Sequence, residues 1–198
     1  MRPDVLLVNE SPKRPLLWRR DCQKLVDRWD LRYVGGGRPA GSNMIACARM
    51  VELRDVVQLV LPQPRWQPRR GIVAAQLRFR GRLLGVVSCH LSLNSERRLQ
   101  ETRRVIEAVS ALRGPIVLGD DLNEPPDGPC WRLMRAAGFV DHGTRQWRTF
   151  PFEDPDRRID ALLVRGDVRV LRHGDPGLDP GLLARASDHR PVLAELEL

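Results

Sequence analysis

The chain has 198 residues, of which 42% are hydrophobic and 5% aromatic, so it can bury one sizeable, mainly aliphatic core and is not a disordered chain. No apolar run approaches the roughly 20 residues of a membrane helix, and the Val5–Val8 stretch, broken by Asn9 and Glu10, is too short for a secretory signal. The expected compartment is therefore the cytoplasm. The net charge of +8 is almost all arginine and is spread along the chain, which suits a phosphate-bearing substrate without naming one.

In chain order, Val5–Val8 reads as a buried strand whose end carries Glu10. Residues 16–29 space Leu17, Cys22, Leu25, Val26 and Trp29 as a helix does, and Gly35-Gly36-Gly37-Arg38-Pro39 reads as a loop. Strands are expected over 44–48 and 56–61, followed by a proline-containing loop over 62–70. Residues 72–79 and 83–89 flank Arg80-Gly81 as a hairpin. The clearest helix covers 95–112, with Leu99, Val105, Ile106, Val109 and Leu112 along one side and Gly114-Pro115 after it. Residues 116–118 form a buried strand running into Asp120-Asp121-Leu122-Asn123, and 131–137 a short helix closed by Gly138. Strands over 159–164, 168–171 and 192–198 complete the chain. Hairpins mixed with helix-linked strands predict an α/β fold over residues 1–198, with two packed mixed sheets flanked by helices rather than one doubly wound parallel sheet.

Chemistry-bearing side chains collect where strands end: Glu10, His90, the Asp120–Asn123 cluster and Asp188-His189. Carboxylates suit a hard cation such as Mg²⁺ or Mn²⁺, which takes oxygen ligands and keeps several waters. A carboxylate beside such an ion can take a proton from water, and a histidine can donate to phosphate oxygens. Cys22, Cys47, Cys89 and Cys130 have no zinc or redox spacing and read as reduced, mostly buried thiols.

Five motifs in register give the sequence a family resemblance. Val5-Leu6-Leu7-Val8-Asn9-Glu10 resembles an apolar strand ending in Gln-Glu, with Asn9 in place of Gln. Ser88-Cys89-His90-Leu91, followed by Arg97 and Gln100, is similar to Asn-Thr-His-Leu with a downstream Arg-x-x-Gln helix. Asp121-Leu122-Asn123 with Glu124-Pro125 resembles the Asp-Phe-Asn turn, Arg158-Ile159-Asp160 resembles Arg-Ile-Asp, and Ser187-Asp188-His189-Arg190-Pro191 matches the closing motif throughout. On these residues the chain resembles the endonuclease/exonuclease/phosphatase superfamily.

The resemblance implies a deoxyribonuclease I-like four-layer α/β sandwich and a Mg²⁺- or Mn²⁺-dependent phosphoesterase. In it, Glu10 and Asp188 serve the metal, and His90 contacts the phosphate. Asp121 and Asn123 activate or position the attacking water. His189 stabilises the transition state or protonates the leaving group, with Asp160 fixing its tautomer. The implied substrate is a phosphate ester, with nucleic acid or a nucleotide preferred. Two other readings stay open: a non-catalytic or partner-completed binding domain of the same fold, and a sugar- or lipid-phosphate phosphatase.

The sequence departs from the family pattern in three ways. A strand and helix that the family carries ahead of the Glu10 strand are not in the sequence, so a longer natural chain or a partner protein is expected to supply them. Asp120 stands where the family has Gly and is expected to point away from Asp121. Ala161 replaces a common Tyr. Trp66, between Pro64 and Pro68, would stack a base or sugar if exposed and belongs to the core if buried. Trp147-Arg148-Thr149-Phe150-Pro151 precedes Asp160, where substrate-side residues are expected.

Overall fold

The computed structural model describes residues 2–144 and 146–198, with Asp120 described by its backbone alone. The strands are β1 (Val5–Val8), β2 (Arg32–Gly37), β3 (Asn43–Cys47), β4 (Glu52–Leu61), β5 (Arg70–Phe79), β6 (Arg82–His90), β7 (Ile116–Asp121), β8 (Val140–Asp141), β9 (Asp160–Arg165), β10 (Arg169–Gly174) and β11 (Leu193–Glu197). The helices are α1 (Trp18–Arg28), α2 (Ser95–Val109), α3 (Pro129–Ala136) and the short α4 (Pro180–Ala184), with a 3-10 turn at Arg38–Ala40.

Side-chain alternation along the strands builds the layers. In β5, Ile72 and Ala74 face a core shared with Val105 and Val109 of α2 and with Trp131 and Met134 of α3. Their neighbours Val73, Ala75 and Leu77 face the opposite way, onto Ile45 and Cys47 of β3. A third core packs Cys22 and Val26 of α1 on Met44 and Ala46, the other side of β3. The order is thus helix, sheet, sheet, helices: the four-layer sandwich. Each fully buried aliphatic side chain contributes on the order of 1.5–3 kcal/mol of transfer free energy.

The larger sheet runs β4-β5-β6-β7-β9-β8. Its β5–β6 hairpin turns through Arg80 and Gly81, both at positive φ (48° and 84°), as a two-residue hairpin requires. β6 and β7 are parallel and linked by α2, which Asn94 caps by accepting from the Arg97 N–H at 3.1 Å. The other sheet layer is in two pieces, β1-β3-β2 and β10-β11. Val5 and Leu7 of β1 and Leu196 of β11 nevertheless pack on one shared core.

Residues 32–37 are strand β2, not a loop from Gly35 onward. The glycines permit this: a Cβ on Gly35 would lie 2.7 Å from Val56, and Gly36 sits at φ 110° against the β3 backbone. β4 begins at Glu52, earlier than its hydrophobic run suggests, because an edge strand with a bulge between Leu53 and Asp55 exposes polar residues. α2 ends at Val109 rather than residue 112, where Ser110 Oγ donates back to the Glu107 carbonyl at 2.6 Å. Among the described residues no helix is long and apolar enough to cross a membrane.

Candidate active site

Strand register alone assembles the centre. His90 and Asp121 are the last residues of the parallel strands β6 and β7 and stand side by side; Asp160, the first residue of antiparallel β9, pairs with Asp121. Three chemistry-bearing side chains therefore stand in a row across the sheet's central strands, at one end. His90 and Asp121 are buried, with His90 Nε2 3.1 Å from Asp121 Oδ2. The loop after β11's partner strand brings in the fourth member: His189 Nδ1 lies 2.9 Å from Asp160 Oδ2, and its ring packs against Phe150 with centroids 4.7 Å apart. Ligand atoms of Asp121, Asp160 and His189 lie within 4.8 Å of one another.

The surroundings tune these groups against one another. Burial acts to raise Asp121, but the His90 hydrogen bond, the two imidazoles and the Asn123 N–H outweigh it, holding the carboxyl below its usual range. Burial pushes Asp160 up, and the Asp121 charge adds to that. Burial would lower His189, yet its hydrogen bond to Asp160 and the charges of Asp160, Asp121 and Asp188 raise it above the usual value. The centre thus holds an ionised carboxylate beside an imidazole disposed to keep its proton.

Asn123, at φ 48°, donates its backbone N–H to Asp121 Oδ1 at 3.0 Å and its Nδ2 to the Leu91 carbonyl at 2.9 Å. That leaves its side-chain carbonyl oxygen turned to no protein donor among the described residues. Glu10 follows β1 at φ 53° and is exposed, with Oε2 3.7 Å from Lys13 Nζ. Asn9 fixes that strand end to the same rim: its Nδ2 donates to the Cys89 carbonyl, next to His90, and to Asn43 Oδ1 at 2.9 Å. Asp188 is exposed beside His189. Glu10 and Asp188 do not join the tight group of Asp121, Asp160 and His189. The side chain of Asp120, expected to point away, lies outside the described residues.

Three further residues support the centre, in roles that the sequence did not indicate. Asn43, fully buried in β3, donates to the Ala40 and Gly71 carbonyls and receives Asn9, joining both sheets behind Glu10. Thr149 Oγ1 accepts from the backbone N–H groups of Ile159 and Asp160, setting the start of β9. Glu124 is buried, accepts from Cys130 N–H at 2.7 Å and pairs with Arg98 at 3.3 Å, so the loop carrying Asn123 is tied to α2 and α3. On α2, Arg98 and Glu101 are buried, Glu101 accepting from Ser92 N–H at 2.7 Å, while Arg97 is half-buried and Gln100 exposed.

Two carboxylates and two imidazoles at one rim of a four-layer α/β sandwich define the deoxyribonuclease I-like class. The chain belongs to the Endonuclease/Exonuclease/phosphatase family, which matches residues 1–189. It is similar to an endonuclease/exonuclease/phosphatase from Bacteroides vulgatus, at 21% identity and TM-score 0.77, over 98% of this chain and 85% of that one. It is similar to a Bacteroides thetaiotaomicron mannosyl-6-phosphatase, at 16% identity and TM-score 0.75, with the same coverages of 98% and 85%. TDP2 of D. rerio, solved with a single-strand DNA product, is 18% identical with TM-score 0.72, over 99% of this chain and 86% of that one. At these identities the likeness is one of fold. No curated protein matches the chain.

Proposed function

We propose that this protein is a divalent-metal-dependent phosphoesterase that hydrolyses a phosphodiester, with nucleic acid or a nucleotide as the preferred substrate. The observation that carries the reading is the row His90–Asp121–Asp160 across three adjacent strands, closed by His189. The donor chemistry fits a hard cation: Glu10 and Asp188 present exposed carboxylates at the same rim, while Asp121, with one partner on each oxygen, keeps a lone pair for water. Glu10 and Asp188 would hold Mg²⁺ or Mn²⁺. Such an ion supplies Lewis-acid polarisation of the phosphoryl oxygens.

The chain's own groups divide the remaining work. Asp121, ionised, takes a proton from the attacking water, and Asn123 Oδ1 orients that water. His90 donates to a phosphate oxygen as negative charge builds. As the water oxygen bonds to phosphorus and the opposite P–O bond breaks, protonated His189 gives its proton to the leaving oxygen, with Asp160 holding the ring in place. The reading keeps the cytoplasm as compartment, where the four buried cysteines, none of them in a disulfide, would remain thiols.

Hydrolysis of bis(p-nitrophenyl) phosphate tests the reading. Wild type should turn over with Mn²⁺ and stop in EDTA, and Asp121→Ala and His189→Ala should each lose about 100- to 10,000-fold, the range for a positioned acid or base. Turnover that persists in EDTA and in both variants overturns it.

One observation favours a second reading, a binding domain completed by a strand from a longer chain or a partner. The outer sheet is split: among the described residues β1 pairs with β3 alone and β11 with β10 alone, though both pack on one core. That reading predicts no thermal shift with Mn²⁺, where a working site would be stabilised by the bound ion.

A further inference from the structure

The β4–β5 loop, residues 62–69, is stiff, basic and carries one conspicuously exposed aromatic ring. Pro62, Pro64 and Pro68 restrict its backbone, and Gln67 N–H closes a turn onto the Pro64 carbonyl at 3.0 Å. Trp66 sits in that turn with 85% of its surface exposed, while Trp131 is 1% and Trp29 38% exposed. Arg65 and Arg69 flank it, both exposed, and the loop holds no acidic residue.

The loop stands at the catalytic end of the molecule. It leads into β5, whose Ile72 pairs with Cys89, the residue before His90. Gln63 Nε2 donates to Ser92 Oγ at 2.9 Å, two positions past His90. Arg97, at the start of α2, donates to Gln67 and so adds a third cation to the loop's flank. On the other side Gly71 is held by Asn43, which receives Asn9 beside Glu10. Leu93, in the next loop along the same rim, is 77% exposed.

Exposing an indole costs apolar burial, and nothing in the described protein covers this one. A flat π-face held on a rigid turn among arginines is the arrangement that receives a nucleobase while its phosphates meet cations. A rigid loop also loses little entropy on binding. We propose that the β4–β5 loop is a substrate subsite for single-stranded nucleic acid, in which Trp66 stacks an unpaired base and Arg65 and Arg69 neutralise the adjoining phosphates. The inference rests on the phosphoesterase reading and narrows its substrate to a single strand received by named residues, yet its test needs no turnover.

Binding of fluorescein-labelled oligothymidylate, followed by anisotropy in EDTA with the full chain, reads the subsite directly. Trp66→Ala should weaken binding about tenfold, and Trp66→Phe should retain most of the affinity. Arg65→Ala with Arg69→Ala should flatten the dependence of affinity on salt. Oligothymidylate should also quench tryptophan emission in wild type and fail to do so in Trp66→Ala. Unchanged affinity in Trp66→Ala, or no oligothymidylate binding by wild type, overturns the subsite and points to a small phosphoester. Binding that depends on Trp66, in a protein that does not hydrolyse bis(p-nitrophenyl) phosphate, supports the subsite and contradicts the phosphoesterase reading alone.

Discussion

The His189 ring is held by Asp160 at Nδ1, by the Phe150 face and, through its backbone N–H, by Ser187 Oγ at 3.0 Å. Burial opposes its protonation, and Asp160, by hydrogen bond and charge, leads the neighbouring carboxylates that favour it. In a pH titration followed by NMR, His189 should titrate above the usual 6.5 in wild type and at a lower pH in Asp160→Asn, where only the Asp121 and Asp188 charges still oppose burial. Equal midpoints would contradict the account. The linked stability has a definite direction. A raised folded-state value means the interaction contributes fully below the usual 6.5 and is lost as pH rises through the raised value. His90, Asp121 and Asp160 were legible in the sequence because each lies at a strand end inside a recognisable motif, and His189 because it belongs to the closing motif, although the structure places it in the loop ahead of β11 rather than at a strand end. Asn43 was not, and Thr149 stood only within a segment expected to face substrate, since a polar residue within a strand or loop carries no sign of what it will hold. The ion pair of Arg98 with Glu124 left no sign in the sequence either, because adjacent arginines are told apart only by which one tertiary packing turns to the partner.

At the scale of elements, β8 is only Val140–Asp141, too short to announce itself by periodicity. It matters through one contact. Asp141 takes both guanidinium nitrogens of Arg158 at 2.7 Å, and Arg158 is 4% exposed just ahead of Asp160. The pair thereby clamps the edge of the large sheet to the segment that delivers Asp160. Asp141→Ala leaves a buried guanidinium unpaired and should cost about 3–5 kcal/mol in denaturant unfolding. Burial works to raise Asp141, but Arg158 and the Gly143 N–H hold it below its usual 3.8, so the pair's contribution is complete above that value and fades as pH falls through the lowered one. A loss of stability in Asp141→Ala under about 1 kcal/mol would contradict the clamp. The long apolar strands and α2 were legible because their hydrophobic periods are strong. β2 was not, because three successive glycines signal a turn until the close approach of β3 and β4 is known. The five-residue α4 has no buried residue and so no amphipathic face to detect.

At the scale of the molecule, four layers put every strand end that carries chemistry at one rim. Asn9 and Asn43 stitch the two sheets together there, behind Glu10. The overall order of layers was legible from the alternation of hairpins and helix-linked strands. The split of the outer sheet was not, since pairing between distant strands leaves no local pattern. The basic charge of +8 finds a local expression in the arginine-flanked Trp66 loop beside that rim. The central claim is that this rim cleaves a phosphate ester through an ionised Asp121. Its most direct test is the rate of bis(p-nitrophenyl) phosphate hydrolysis at saturating Mn²⁺ by Asp121→Asn, an isostere that can keep its place beside His90 without the charge. The account predicts a loss of at least about 100-fold with the melting temperature little changed. A rate within about threefold of wild type would contradict it, being far smaller than the effect of removing a positioned base.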